Sequence, residues 1–324
     1  MKAIVCSRFG DAGAIELRDV PDPVPRVKEV LIKIHATTVT TGDWRIWSRT
    51  LPTGFHLLSY LIFGIRTPRH PIFGTDLAGE VVGVGSGVTR FNVGDQVVAV
   101  TGMGLGGHAE YISLPETGAI VKKPAGLSYD DAVSLCFGGL TALDFLQRAG
   151  IKKGERVLVN GASGSVGIHA VEFARHMGAV VTAVCSPSRH DFVLSIGAEA
   201  VLDYSGGNLF AQETRYDVIM DCAGNLNFGN SKHLLKPGGR LILIAAGIPQ
   251  MLGTLKAIGG HCRAIVGPIK ESAEAMQKLM DLAAVGVLKP VIDRRWPLSG
   301  VSQAFMHVGS KQKQGNTVIQ VVHA

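Results

Sequence analysis

The hydrophobic pattern changes character twice along the chain. Up to about residue 125, apolar positions fall in short runs cut by glycine. Glu29–Ala36 alternates in part with period two, Ile72–Gly85 is a glycine-punctuated strand region, and Val88–Ala99 turns at Asn92 to Asp95 into another strand. Gly106–Ile112 closes this part. Many short strands with glycine corners predict a small, partly open barrel. From Ser128 the period becomes helical: Asp130–Cys136 and Thr141–Ala149 read as two helices, the second stopped by Gly150. Strands then come at 156–160, 180–185, 200–203, 217–222 and 239–246, with a candidate sixth at 261–266. Helical stretches near 165–177, 188–196, 208–213 and 227–235 separate them. That alternation predicts an α/β, doubly wound parallel sheet with crossover helices. The tail returns to the first style, with strands at 290–293 and 317–322 around an amphipathic helix. The expected division is one domain of 1–125 completed by 268–324, and a second of 126–267.

The most informative stretch is the first strand of the second domain with its turn and helix. Arg156–Asn160 is a valine-rich run of the kind buried on both faces of a sheet. It breaks at Gly161-Ala162-Ser163-Gly164-Ser165-Val166-Gly167 and resumes as a helix with Ile168, Val171, Phe173, Ala174 and Met177 on one broad face. The three glycines stand three apart. The first permits a sharp turn, the second a close approach by a bulky anion, the third tight packing of helix on strand. Helix-start N–H groups and the positive end of the helix dipole then face a pyrophosphate. A strand before the turn and a helix after it are the context that dinucleotide binding requires.

The next strand, Val180–Cys185, selects the dinucleotide. NAD sites place Asp or Glu about 20 residues past the turn, on the ribose hydroxyls. Here the chain reads Cys185-Ser186-Pro187-Ser188-Arg189-His190. No carboxylate stands there to repel a 2′-phosphate, Ser186 can donate to it, and Arg189 can pair with its charge. The expected cofactor is NADPH. The alternative is that Ser186 only caps the following helix and Arg189 is solvated.

Composition narrows the class. At 324 residues, 46% hydrophobic and 18% charged, the chain is a folded two-domain protein. Its net charge of +6 is scattered, without a run of four basic residues, so nucleic acid is not an expected partner. Cys6, Cys136, Cys185, Cys222 and Cys262 are far apart, which fits a reducing compartment and no zinc cluster. The N-terminus begins as a strand without a cleavable signal, and no apolar run reaches spanning length. The expected location is the cytoplasm.

Taken together, Gly74–Val81, Phe91–Val97, Gly139-Leu140-Thr141-Ala142, the glycine turn and Asp221-Cys222-Ala223-Gly224 resemble the medium-chain dehydrogenase/reductase superfamily, within it the zinc-free quinone oxidoreductase branch. The resemblance covers nearly the whole length. It implies a GroES-like catalytic domain completed by the tail, a Rossmann nucleotide domain between, and a cofactor in the cleft. Zinc-containing relatives have Cys after the second strand and Gly-His-Glu where this chain has Gly74-Thr75-Asp76, and Thr38 to Asp43 holds neither Cys nor His. No metal is therefore expected. Without a Lewis acid, reduction of a quinone or an α,β-unsaturated carbonyl is favoured over alcohol oxidation.

The resemblance also implies a site. Gly161 to Gly167 take the pyrophosphate, and Ser186, Arg189 and Tyr204 the 2′-phosphate. Thr141, Cys222, Ala223 and Gly224 lie toward ribose and nicotinamide, with Ala245, Ala246 and Gly247 along the nicotinamide and Asn316 reaching back from the tail. The branch's Asn-x-x-Asp reads Thr40-Thr41-Gly42-Asp43 here, so Thr40 and Asp43 are catalytic candidates, with a helix cap as the plainer reading of Asp43. Trp44 and Trp47 read as core, His108 as structural and Cys222 as packed. The apolar insert Phe55–Gly64 is a flap over substrate, an oligomer contact or a membrane-surface helix, the flap being preferred. Tyr60 within it is the candidate proton donor. Competing functions are an enoyl-thioester reductase and a weakly catalytic NADPH-binding regulatory or structural protein. A homodimer through the strand at 261–266 is expected.

Overall fold

The computed structural model describes residues 1–204, 208–255 and 262–322. The chain forms two compact units: Met1–Leu51 with His56–Phe137 and Glu271–Ala324, and Pro52–Phe55 with Gly138–Lys270. The first unit thus runs on past residue 125 to Phe137, because the helix Tyr129–Ala149 begins in one unit and ends in the other.

The spine of the first unit is the eleven-residue strand Glu29–Val39. Its inward side chains, Val30, Ile32, Ile34 and Ala36, are fully buried, which is the period-two pattern of a strand with one face on the core. One edge pairs antiparallel with Asp76–Val84. The other edge takes Tyr111–Pro115 along its first half and the tail strand Asn316–Gln320 along its second. Register shifts at Leu31/Ile32 and Ile34/Ala36 bend the strand enough to serve both partners. With Gln96–Val100, Ala119–Lys122 and Ile292–Pro297 the sheet has seven strands. Trp47, Phe73 and Phe305 fill its core with Ile32, Leu77 and Val97. Trp47 lies on the Phe305 ring at 5.4 Å and a Cβ on Gly309 would meet Trp44 Nε1, so both tryptophans pack on the helix Val301–Gly309.

The second unit holds a parallel sheet in the order Ala200–Asp203, Val180–Cys185, Arg156–Asn160, Tyr216–Asp221, Leu235–Leu243, Arg263–Ile265. In chain order this is 3-2-1-4-5-6, so the direction of winding reverses between the first and fourth strands. Leu158, Val184, Ile219 and Leu241 are buried inside it. Of the segment read as a sixth strand, Arg263–Ile265 is paired and His261 lies outside the described residues.

Three local readings change. The two helices expected around Gly138-Gly139 are one, Tyr129–Ala149. The glycine is there for contact: a Cβ on Gly138 would stand 2.4 Å from the Ser165 carbonyl oxygen. The helix near 227–235 is α-helical over Phe228–Ser231 and tightens to a 3-10 turn over Lys232–Leu234, before Leu235 pairs with Tyr216 in the sheet. A further helix, Ala273–Ala284, capped by Ser272, precedes the tail strands where the hydrophobic pattern had suggested no element. No helix of the described residues is long and apolar enough to cross a membrane.

Candidate functional site

At the winding reversal of the second unit, the three glycines have three different reasons. Gly161 has φ +79°, a left-handed conformation that side chains resist. A Cβ on Gly167 would lie 2.1 Å from Gly161 O and 2.7 Å from Ala162 Cα, so helix and strand could not approach. Gly164 differs: its φ is −80°, and the nearest protein atom to an added Cβ, Gly161 O, is an ordinary 3.5 Å away. Nothing in the fold requires glycine there.

The amides around it divide the same way. Gly161 and Ala162 both donate to Val184 O, at 3.0 and 3.1 Å, and Gly164 donates to Gly161 O at 3.1 Å. Those three hold the turn's shape, and Ala162 is fully buried. Gly164 is the N-cap of the helix Ser165–His176, and as glycine it makes no side-chain cap bond to the first turn, Ser165-Val166-Gly167. Ser163 and Gly164 are half-buried at the tip. This is a donor-rich cradle at the positive end of a twelve-residue helix.

The end of the second strand gives the cradle its neighbour. Ser186, half-buried, precedes the turn Pro187–Arg189, and its side chain makes no cap bond. Ser186 Oγ lies 3.3 Å from Ser188 Oγ instead. In register, Asp203 stands opposite Cys185, which sets the exposed Tyr204 level with Ser186. Burial pushes the Cys185 thiol up to about 11; Asp203 adds to this and Arg189 opposes it, so both charges lie within electrostatic reach of the strand end.

A hub absent from the predicted site organises the other side. Asp221 ends the fourth strand almost fully buried. Its Oδ1 accepts from Asn160 Nδ2 at 2.8 Å, Ala223 N at 3.1 Å and Gly224 N at 3.0 Å, and its Oδ2 from Leu226 N at 2.8 Å. Burial raises its carboxyl pKa, against the pull of those donors. Asn160 Nδ2 also donates to Asn225 Oδ1 at 2.6 Å. The loop 222–226 is therefore fixed by one carboxylate. Cys222 is tied by its own amide to Asn160 O, and burial keeps its thiol well above the usual range, hence neutral. An acid closing an apolar strand was the sign that could have revealed Asp221.

Beyond the fifth strand, Ala245 and Ala246 turn the chain and Gly247 is sealed. A Cβ on Gly247 would meet Thr53 O at 2.6 Å and Gln250 Oε1 at 2.9 Å. Ile248 N donates to Thr53 O at 2.8 Å. Thr141 is buried on the helix Tyr129–Ala149, one turn after Gly138 meets Ser165.

In the first unit, Thr40 and Asp43 form a reciprocal cap. Asp43 N donates to Thr40 Oγ1 at 3.0 Å, and Asp43 Oδ2 accepts from Thr40 N at 2.8 Å and Thr40 Oγ1 at 2.7 Å. The helix accordingly starts at Thr41, with Thr40 rather than Asp43 as its N-cap. Asp43 is fully buried and its Oδ1 has no partner among the described residues. His108 Nε2 pairs with Thr38 O at 2.9 Å, and burial lowers that histidine's pKa. Asp76, also buried, takes Thr38 Oγ1 and Phe137 N, each at 3.1 Å. Burial first, then the Asp43 charge, pushes the Asp76 carboxyl up to about 8. The Thr38 and Thr40 hydroxyls are bonded to the Asp76 and Asp43 carboxylates, and a threonine hydroxyl is not among the usual zinc ligands. Among the described residues no group of three or more His, Cys, Asp or Glu is placed to hold a metal. Asn316 starts the tail strand, buried, with N and Nδ2 on Val291 O. Tyr60 is partly exposed, its ring 5.2 Å from the Arg49 guanidinium.

A seven-stranded, mostly antiparallel unit completed by the tail, and a 3-2-1-4-5-6 sheet with a glycine cradle, define a medium-chain dehydrogenase/reductase. Comparison with known proteins agrees. The family described as "Alcohol dehydrogenase GroES-like domain" matches residues 26–125, and the one described as "Zinc-binding dehydrogenase" matches 196–319. The chloroplast envelope quinone oxidoreductase homolog of Arabidopsis thaliana is 34% identical, over 96% of this chain and 95% of that protein. A quinone oxidoreductase structure from Coxiella burnetii superposes with TM-score 0.89 at 29% identity, covering 99% of both chains. The Escherichia coli quinone oxidoreductase solved with NADPH, 22% identical, shares the fold with TM-score 0.85 over 99% of this chain and 100% of that one. The chain belongs to the zinc-free quinone oxidoreductase branch of the medium-chain dehydrogenase/reductase superfamily.

Proposed function

We propose that this protein reduces a quinone or an α,β-unsaturated carbonyl with NADPH. The observation that supports this most directly is the glycine cradle beside a strand end that offers serine and arginine in place of a carboxylate. Relatives named quinone oxidoreductases match nearly the whole chain, and one structure of the same fold was solved with NADPH. In this reading the first-turn amides after Gly164 hold the pyrophosphate, and Ser186, Arg189 and Tyr204 hold the 2′-phosphate. Thr141, Cys222–Gly224 and Ala245–Gly247 line the ribose and nicotinamide end, kept in shape by Asp221.

Bound NADPH supplies a hydride for the electrophilic carbon of the substrate. The chain's own work is then positioning and electrostatics: a conjugated acceptor takes up the electron pair within its own carbonyl system, so no Lewis acid is needed. Thr40 and Asp43 are spent on each other in a buried cap, so we assign them to holding the fold of the first unit. The final proton comes from solvent or from Tyr60. We further read the protein as cytoplasmic, all five of its cysteines being free. We read the assembly as a homodimer through Arg263–Ile265, a strand paired on one side only among the described residues.

The test is NADPH absorbance, recorded with a benzoquinone and with an α,β-unsaturated aldehyde, against NADH as control. Turnover of either acceptor with preference for NADPH is expected. Tight NADPH binding without turnover of either would overturn the enzymatic reading. Tyr60→Phe lowers kcat by about a hundredfold if the tyrosine is the acid, and leaves it unchanged if solvent is.

A further inference from the structure

The helix His56–Phe63 is built inside out. The side chains it turns into the protein are Ser59 and Phe63. Leu57, Leu61 and Ile65, just beyond the helix, are 73%, 61% and 70% exposed, and Leu58 and Ile62 are exposed beside them. Leu57, Leu58, Leu61 and Ile62 keep helical spacing and make one apolar stripe, and Ile65 stands exposed past the turn at Gly64, whose φ is 97°. A helix normally buries such a stripe, because each large aliphatic side chain gains by leaving water. This one turns in only Ser59 and Phe63, Phe63 joining the core of the first unit, and is held besides by an arginine. Arg49, itself in a left-handed conformation with φ 59°, donates to Ser59 Oγ at 3.3 Å, to Ile65 O at 3.1 Å and to Gly64 O. Its guanidinium sits 3.5 Å from the centre of the Phe9 ring. One anchored arginine thus presents the aliphatic stripe outward.

Charge identifies what the stripe meets. From Trp44 to Thr75 the sequence contains no Asp or Glu, and Arg66 and Arg69 stand exposed directly after the stripe. A second copy packed on this face about a two-fold axis would bring like charges together. A surface of lipid with anionic headgroups satisfies both properties: aliphatic side chains enter the acyl boundary and arginines meet phosphates. The helix has eight residues, far short of the roughly 20 a span requires, so it lies on the surface.

We propose that this helix and the two arginines after it dock the protein on an anionic bilayer. The proposal stands apart from the hydride-transfer reading, because its measurement is lipid binding.

The experiment is co-sedimentation of the full chain with phosphatidylcholine vesicles and with vesicles in which about a third of the lipid is phosphatidylglycerol. The expected result is partitioning onto the anionic vesicles that weakens with salt and is lower on phosphatidylcholine alone. The double variants L57Q/L61Q and R66E/R69E should each lower it about tenfold or more while melting like the parent. Absence of binding to anionic vesicles, or binding that neither variant changes, would overturn the proposal. Two further outcomes would also overturn it. One is a lipid-free dimer that L57Q/L61Q dissolves, which makes the face a contact between copies. The other is a lipid-free rise in KM for the acceptor without vesicle binding, which makes the helix a cover for substrate.

Discussion

Substitution at Gly164 separates the requirements of folding from those of the cofactor. At φ −80° and ψ 169° this N-cap position suits any residue, and serine is a preferred one. The nearest protein atom to its Cβ would be 3.5 Å away. Gly164→Ser is therefore expected to keep stability or raise it by a few tenths of a kcal/mol. The same hydroxyl accepts the first-turn N–H groups and fills the space over them. Losing one charge-assisted bond to the pyrophosphate costs about 2 kcal/mol, which is about 30-fold in Kd for NADPH. Gly167→Ala should behave in the opposite way. Its methyl would press to 2.1 Å on a backbone oxygen that no rotamer can move. Overpacking against a backbone oxygen falls in the upper part of the usual range, about 2–3 kcal/mol, and offset by about 1 kcal/mol of helix propensity leaves about 1–2 kcal/mol of destabilisation. That corresponds to a fall in Tm of about 2–8 °C. Thermal melts and fluorescence titration with NADPH read both quantities. If Gly164→Ser bound NADPH like the parent, or melted as low as Gly167→Ala, the assignment of the cradle would be wrong.

Replacing Arg189 with Gln should reduce the ratio of kcat/KM for NADPH over NADH by about tenfold or more, through loss of the charge near the 2′-phosphate; an unchanged ratio places specificity elsewhere. Asp221→Ala strands three backbone amides and takes one of the two bonds of Asn160 Nδ2, and should lower stability by about 2–4 kcal/mol in denaturant titration. A variant as stable as the parent would remove Asp221 as the organiser of the 222–226 loop. For Asp76 the sign comes from its carboxyl standing at about 8 in the folded chain, against an ordinary value of 3.8. Between those values the folded state holds a proton that the unfolded chain has released, so stability is full at low pH and falls as pH rises through that window. Asp76→Asn cannot lose a proton, and its Tm should gain on that of the parent from pH 5 to pH 8; parallel curves would refute this.

What the sequence determined here is local. The strand at Arg156–Asn160, its glycine turn and the helix behind it are readable because period and glycine sterics act over a few residues. So is the missing carboxylate after Val180–Cys185, since identity at one strand end sets the charge there. Tertiary structure decided what depends on distant partners. The pairing of Asn316–Gln320 with the second half of Glu29–Val39 joins residues nearly 300 apart, and no local pattern encodes it. Gly138 reads as a helix break in sequence and is a point of close approach in the fold, because only the position of Ser165 distinguishes the two. Asp221 stands in sequence as an acid closing an apolar strand, but its role as a hub depends on four donors that the fold brings to it. The leucines of His56–Phe63 read in sequence as a flap, an oligomer contact or a membrane-surface helix, and composition does not choose among these. They point outward because Arg49 binds the opposite side of the helix, and burial is settled by which neighbours are present.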